Sequence, residues 1–164
     1  DLAGKPFIGP AGQVLDEVIE KVGIDRRRVY VTNAVKHFKF EPRGKRRIHQ
    51  RPNAGEVQAC KFWLTLELEF VKPRIVVALG ATAAQSLLGK ASVSISALRG
   101  QPMQMTDGTV LFVTNHPSYL LRIPDPEGRA REREKFENDL ILVGDAIADL
   151  ENATPLLTSE ARKP

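Results

Sequence analysis

Helical and strand patterns alternate along this chain in the manner of a three-layer α/β/α sandwich, with helices on both faces of a small, mainly parallel central sheet. Two runs, "RIVVALG" and "TVLFVTN", are short, β-branched and continuously apolar, as strands buried on both faces are. Segments with apolar residues at helical spacing lie before, between and after them, so crossovers join the strands.

In "GPAGQVLDEVIEKVG", Val14, Leu15, Val18, Ile19 and Val22 share a helical face, and Gly23 is placed to end the helix. "RVYVTN" then predicts a short buried strand that finishes at Asn33. After a basic loop, Asn53 can cap a second helix with Glu56 three residues on. Val57, Cys60, Leu64, Leu68 and Val71 form its apolar face, and Pro73 stops it. "RIVVALG" passes through Gly80 into the helical "ATAAQSLLG", and "TVLFVTN" supplies another strand. Phe136, Leu140, Val143, Ile147 and Leu150 mark a long closing helix. Residues 1–150 are expected to form a single domain, with "ENATPLLTSEARKP", residues 151–164, as a loose tail. No internal repeat is visible.

A chain of 164 residues with 42% apolar content can build a core, and 27% charged residues argue against disorder. No apolar run approaches the roughly 18 residues of a membrane span, and no signal peptide opens the chain. A cytoplasmic protein without membrane contact is therefore expected, working as a monomer. The single cysteine, Cys60, excludes an internal disulfide and leaves a buried thiol or a metal ligand whose partners lie elsewhere. The chain starts at Asp1 in what reads as mid-motif, so a preceding portion is expected.

Net charge is +4 with a sequence pI of about 9.4, which fits an acidic partner such as nucleic acid. Its distribution says more. Residues 35–51, "VKHFKFEPRGKRRIHQR", hold Lys36, Lys39, Arg43, Lys45, Arg46, Arg47 and Arg51 against Glu41 alone. That stretch carries +6, so the remainder carries −2. Such a stripe is either a footprint on a phosphate backbone or a solvated basic loop.

In a parallel sheet, sites form at the carboxyl ends of the strands. "VTNAVKH", "LGATAA" and "NHPSYLLR" all fall there. Gly80 before a helix start can receive a phosphate or can serve only as a strand-to-helix turn. Asn33 offers an amide suited to reading the edge of a base, and asparagine also simply ends strands. His116 precedes Pro117, which ends the strand and leaves the imidazole for the cleft or for a loop carbonyl.

In order and spacing, "GKPFIGPAG", "VYVTNAVKHFKF", "GKRRIHQ", "LGATAA" and "HPSYLLR" resemble the uracil-DNA glycosylase superfamily, specifically its UdgX branch near the family 4 iron-sulfur enzymes. The resemblance runs from Asp1 to about Arg122. Its most specific piece is the basic insert ending in "KRRIH", which ordinary family 4 enzymes lack. It implies the uracil-DNA glycosylase fold and uracil-containing DNA, expected single-stranded, as partner. The family's first strand, a "GEQPG"-type motif with a catalytic acidic residue and two cluster cysteines would then lie before Asp1.

The resemblance also implies roles. A glycosylase extrudes the base, holds it by stacking and edge hydrogen bonds, and stabilises charge that moves onto it as the bond to sugar breaks. Phe7 would be the stacking platform, Asn33 the reader of the uracil edge, and His116 the group at the base oxygen. Ser118 and Arg122 would contact phosphate, and Leu120 or Leu121 would wedge the base stack, with core packing the alternative for either leucine. Lys45, Arg46, Arg47 and Arg51 would bind DNA. Cys60 stands in "VQAC" where family 4 has "EAC", and His37 in "VKH" where family 4 has "VKC". A 4Fe-4S cluster held by Cys60, His37 and two upstream cysteines is therefore implied, since histidine can replace cysteine on iron.

His49 is implied as nucleophile, bonding to C1′ of the deoxyribose as uracil leaves. An imidazole with reference pKa about 6.5 is largely neutral at pH 7, and cationic neighbours disfavour its protonated form. The plain alternative is a phosphate contact beside Arg46 and Arg47. Three functions therefore compete: a single-turnover glycosylase that becomes covalently attached to DNA, a hydrolytic glycosylase that turns over, and a noncatalytic nucleic-acid-binding domain.

Overall fold

The structure, a computed structural model, describes residues 5–36, 40–44, 46–50 and 52–153, with backbone alone at Arg43 and at Arg46–His49. Helix α1 (Pro10–Lys21) starts with proline at its first position, where the missing N–H costs nothing, and buries Leu15, Val18 and Ile19. A 3-10 turn (Arg26–Arg28) follows. Strands β1 (Phe40–Arg43) and β2 (Arg46–His49) form an antiparallel ribbon. Helix α2 (Ala54–Val71) opens with the expected reciprocal cap: Asn53 Oδ1 accepts from Glu56 N–H at 2.9 Å, and Glu56 Oε2 accepts from Asn53 N–H at 2.7 Å. It closes through Lys72 at φ 48°, just before Pro73.

Strand β3 (Ile75–Leu79), helix α3 (Ala81–Leu88), the short helix α4 (Ile95–Leu98) and strand β4 (Met103–Gln104) come next. Strand β5 (Val110–Thr114), helix α5 (Pro117–Arg122) and helix α6 (Pro126–Asn152) complete the described chain. The central sheet has the order β3-β5-β4. β3 and β5 are parallel, in register from Ile75↔Val110 to Leu79↔Thr114, while β4 pairs antiparallel with β5. Alternation along β5 divides the core. Phe112 packs with Leu15, Val18, Phe136, Leu140 and Val143, under α1, α5 and α6. Leu111 and Val113 pack with Ala78 and Ala84, under α3 and α4. This is the expected sandwich around a small mixed sheet.

Three local expectations change. Residues 29–33 join no ladder among the described residues; they and β3 both line a cavity of about 870 Å³. Apolar alternation records burial of a face, whereas a strand also needs a neighbouring backbone about 4.8 Å away. Polar anchors hold this segment instead: Lys36 Nζ donates to Thr32 Oγ1 at 2.8 Å and pairs with Glu67 of α2, which also accepts from Thr32. The basic "loop" contains the β1–β2 ribbon. Val71, placed on the buried face of α2, is exposed. Among the described residues, no helix is long and apolar enough to cross a membrane.

Candidate functional site

Phe7, Asn33 and His116 line the same cavity. They come from three separate stretches: the turn before α1, the end of the segment 29–33, and the end of β5. The turn is shaped by Phe7 itself, at φ 57°, and by Gly12, where a Cβ would stand 1.5 Å from the Phe7 carbonyl oxygen. Only glycine lets the turn fold onto the helix so closely. The result is a Phe7 ring stacked on the His116 ring, centroids 5.3 Å apart at 26°. An aromatic platform thus meets a hydrogen-bonding ring at the carboxyl end of a strand.

The "LGATAA" turn supports the same point. Gly80 N–H donates to the Thr114 carbonyl at 2.8 Å, and a Cβ on Gly80 would lie 3.0 Å from the Cβ of His116. The two strand-end turns therefore touch through glycine.

The imidazole is oriented by its own helix. Ser118 N–H donates to His116 Nδ1 at 3.1 Å, and Ser118 Oγ lies 2.9 Å from the same nitrogen. Arg122 donates to Ser118 Oγ at 2.9 Å, so that hydroxyl directs its proton to the ring. With Nδ1 accepting, the neutral ring carries its proton on Nε2 and is a donor there. A donor of this kind suits an oxygen that gains charge as a base departs. Ser118 and Arg122, expected at phosphate, are thus part of the orientation of His116. Leu121 is exposed on the same helix.

The ribbon register places His49 opposite Phe40 and Arg46 opposite Arg43. The side chains of His49, Arg46 and Arg47, together with Lys45, Arg51 and His37, lie outside the described residues. Cys60 is buried at 2% exposure, and its Sγ accepts the backbone N–H of Lys36 at 3.4 Å. The sulfur therefore sits against the chain one residue before His37. Among the described residues, no group of three or more His, Cys, Asp or Glu is arranged to hold a metal ion. A buried cysteine sulfur is chemically suited to be one ligand of such a cluster.

Sequence reasoning missed a polar cluster behind the site. Asp139 of α6 accepts from Arg99 Nε and Nη2 at 3.0 and 2.8 Å and from the Thr114 hydroxyl. Glu132 accepts from Arg99 at 3.2 Å and from Asn115 at 3.3 Å. Hydrogen bonds from Lys135 and then Arg99 hold its carboxyl below the ordinary carboxylate value, against the opposing effect of burial. The only signal in the sequence was two acids seven residues apart on the long helix, which ordinarily means a solvated face.

Comparison with known proteins agrees with this geometry. The model of the uracil DNA glycosylase superfamily matches residues 1–141. A type-4 uracil-DNA glycosylase of Thermotoga maritima is 39% identical over 137 residues, 84% of this chain and 68% of the relative. That of Pyrobaculum aerophilum is 34% identical over 148 residues, 87% and 69% of the two chains. A type-5 uracil-DNA glycosylase of the same organism is 37% identical over 98 residues, 60% and 40%. With most of its length and its central sheet matched in this way, the chain belongs to the uracil-DNA glycosylase superfamily.

Proposed function

We propose that the protein excises uracil from DNA. The observation that carries this is the meeting of Phe7, Asn33 and His116 in one cavity, with the His116 ring oriented through Nδ1. An extruded uracil would stack on Phe7, present its edge to the Asn33 amide, and place an oxygen at His116 Nε2–H. As the N1–C1′ bond breaks, its electron pair stays with the base, and the His116 donor stabilises the charge that reaches the oxygen. Two of the most similar relatives carry the name of type-4 uracil-DNA glycosylase, which supports this choice of reaction.

The finer reading concerns the sugar. The "KRRIH" stretch, whose last four residues form β2, favours capture of C1′ by His49 over capture by water, in the manner of the UdgX branch. The imidazole lone pair forms the new bond to C1′, and the ring then loses its N–H proton. A tethered nucleophile competes at high effective concentration, and an alkylated imidazole is a poor leaving group, so one turnover consumes the enzyme. Cys60 and His37 would hold a 4Fe-4S cluster, with two ligands that residues 1–164 do not supply. The cluster's part would be structural, tying the basic ribbon to α2.

A denaturing gel of uracil-containing single-stranded DNA with the protein, run with and without alkali, tests both levels. A shifted protein–DNA band that His49→Ser abolishes supports covalent capture. Alkali-cleaved DNA without a shift leaves a hydrolytic glycosylase, and intact, unshifted DNA overturns the enzymatic function. Iron content of the full-length protein tests the cluster.

A further inference from the structure

Among the described residues Asp139 is the one charged side chain in the buried core, at 9% exposure. Enclosing a carboxylate costs several kcal/mol before its partners offset it, and apolar packing of the same volume would serve stability as well or better. The partners show what this carboxylate holds. Thr114 and Asn115 are the two residues immediately before His116, and each is tied to α6, Thr114 to Asp139 and Asn115 to Glu132. Arg99 bonds both carboxylates at once, with Nε and Nη2 on Asp139 and Nη1 on Glu132. The Thr114 carbonyl is also held by Gly80 N–H. One half-buried guanidinium therefore keeps two carboxylates, two helical turns apart, in the spacing that β5 needs to deliver His116.

We propose that Arg99 is a positioning residue for His116, acting through Asp139–Thr114 and Glu132–Asn115 on the chain that aims the imidazole. The proposal rests on uracil excision with His116 at the base. A planar fork can bridge the two acids at once, whereas a lysine ammonium retains the charge and loses that geometry.

The test is a double-mutant cycle read in single-turnover uracil release from single-stranded DNA, with affinity for a thymine-containing strand measured alongside. Arg99→Lys and Thr114→Val should each slow release about tenfold or more, sub-ångström misplacement being costly in this way. DNA affinity should stay unchanged. In a His116→Ala background the effect of Arg99→Lys should disappear, because the group it aims is gone. Thr114→Val with His116→Ala closes the same cycle should Arg99→Lys not fold. An undiminished effect in the His116→Ala background, a parallel loss of DNA affinity, or failure of both variants to fold would overturn the proposal and assign the cluster to the fold alone. A wild-type protein that releases no uracil overturns the underlying function instead, and His116→Ala at the wild-type rate removes His116 from the chemistry.

Discussion

Replacing Gly80 by alanine probes the contact between the two strand-end turns. Gly80 has φ 89° and ψ 171°, a region that glycine alone occupies readily, and an alanine there is strained by about 1–3 kcal/mol. Its Cβ would meet the His116 Cβ at 3.0 Å and the His116 backbone nitrogen at 3.5 Å, so the histidine must shift or the turn must open. For a domain of this size about 1 kcal/mol moves Tm by roughly 2–4 °C, so the variant should melt about 2–12 °C lower. A catalytic group displaced by about 1 Å can lose a hundredfold in rate; a smaller displacement of His116 should slow uracil release by roughly three- to tenfold. Gly89→Ala is the control. Gly89 has φ 63° with nothing within 4 Å of an added Cβ, so alanine there should cost about 1–2 kcal/mol and leave the rate unchanged. Thermal melts and single-turnover release on both variants separate the two effects. Gly80→Ala with the wild-type rate, or with no loss of stability, would show that the turns do not press on each other as argued.

Three further expectations concern charge and recognition. Replacing Arg46 and Arg47 together by alanine should reduce the salt slope of single-stranded DNA binding by about 1.4, at about 0.7 for each phosphate no longer neutralised; an unchanged slope makes the basic ribbon a solvated surface. Asn33→Ala should lower discrimination between uracil and cytosine while the fold persists, since an unfilled hydrogen-bonding site loses its basis for rejection, and equal discrimination removes Asn33 from the base edge. Glu137 is held below its ordinary value of 4.5 chiefly by the hydrogen bond from Lys21, with burial opposing and Arg133 assisting. A depressed folded-state pKa contributes stability above the ordinary value that is lost as pH falls through the folded value, so Glu137→Gln should flatten the acid loss of stability below about pH 4.5. Urea midpoints across that range read it, and an identical acid limb means the pair contributes nothing.

The parts of this protein that are local in sequence were legible there. Asn53 and Glu56 stand three residues apart and make their cap within one helical turn, and Phe136, Leu140 and Val143 show their buried face through a 3.6-residue period. "VLFVT" is a strand because its β-branched run is enclosed on both sides. The placement of Gly80 and His116 just after their strands likewise followed from alternating elements. Periodicity carries no record of which backbones pair. Residues 29–33 have the alternation of a strand, yet among the described residues they join no ladder and are anchored through Thr32 to Glu67 of α2. Contacts between distant residues were equally silent. Arg99 reads as one more surface cation until the chain brings it to Asp139, 40 residues on, and the Phe7–His116 stack depends on a turn permitted by Gly12. Residue type and period state what a segment can bury or bond, and the folded chain alone supplies the partner, because the free energy of a buried charge or a ladder exists only in the pair.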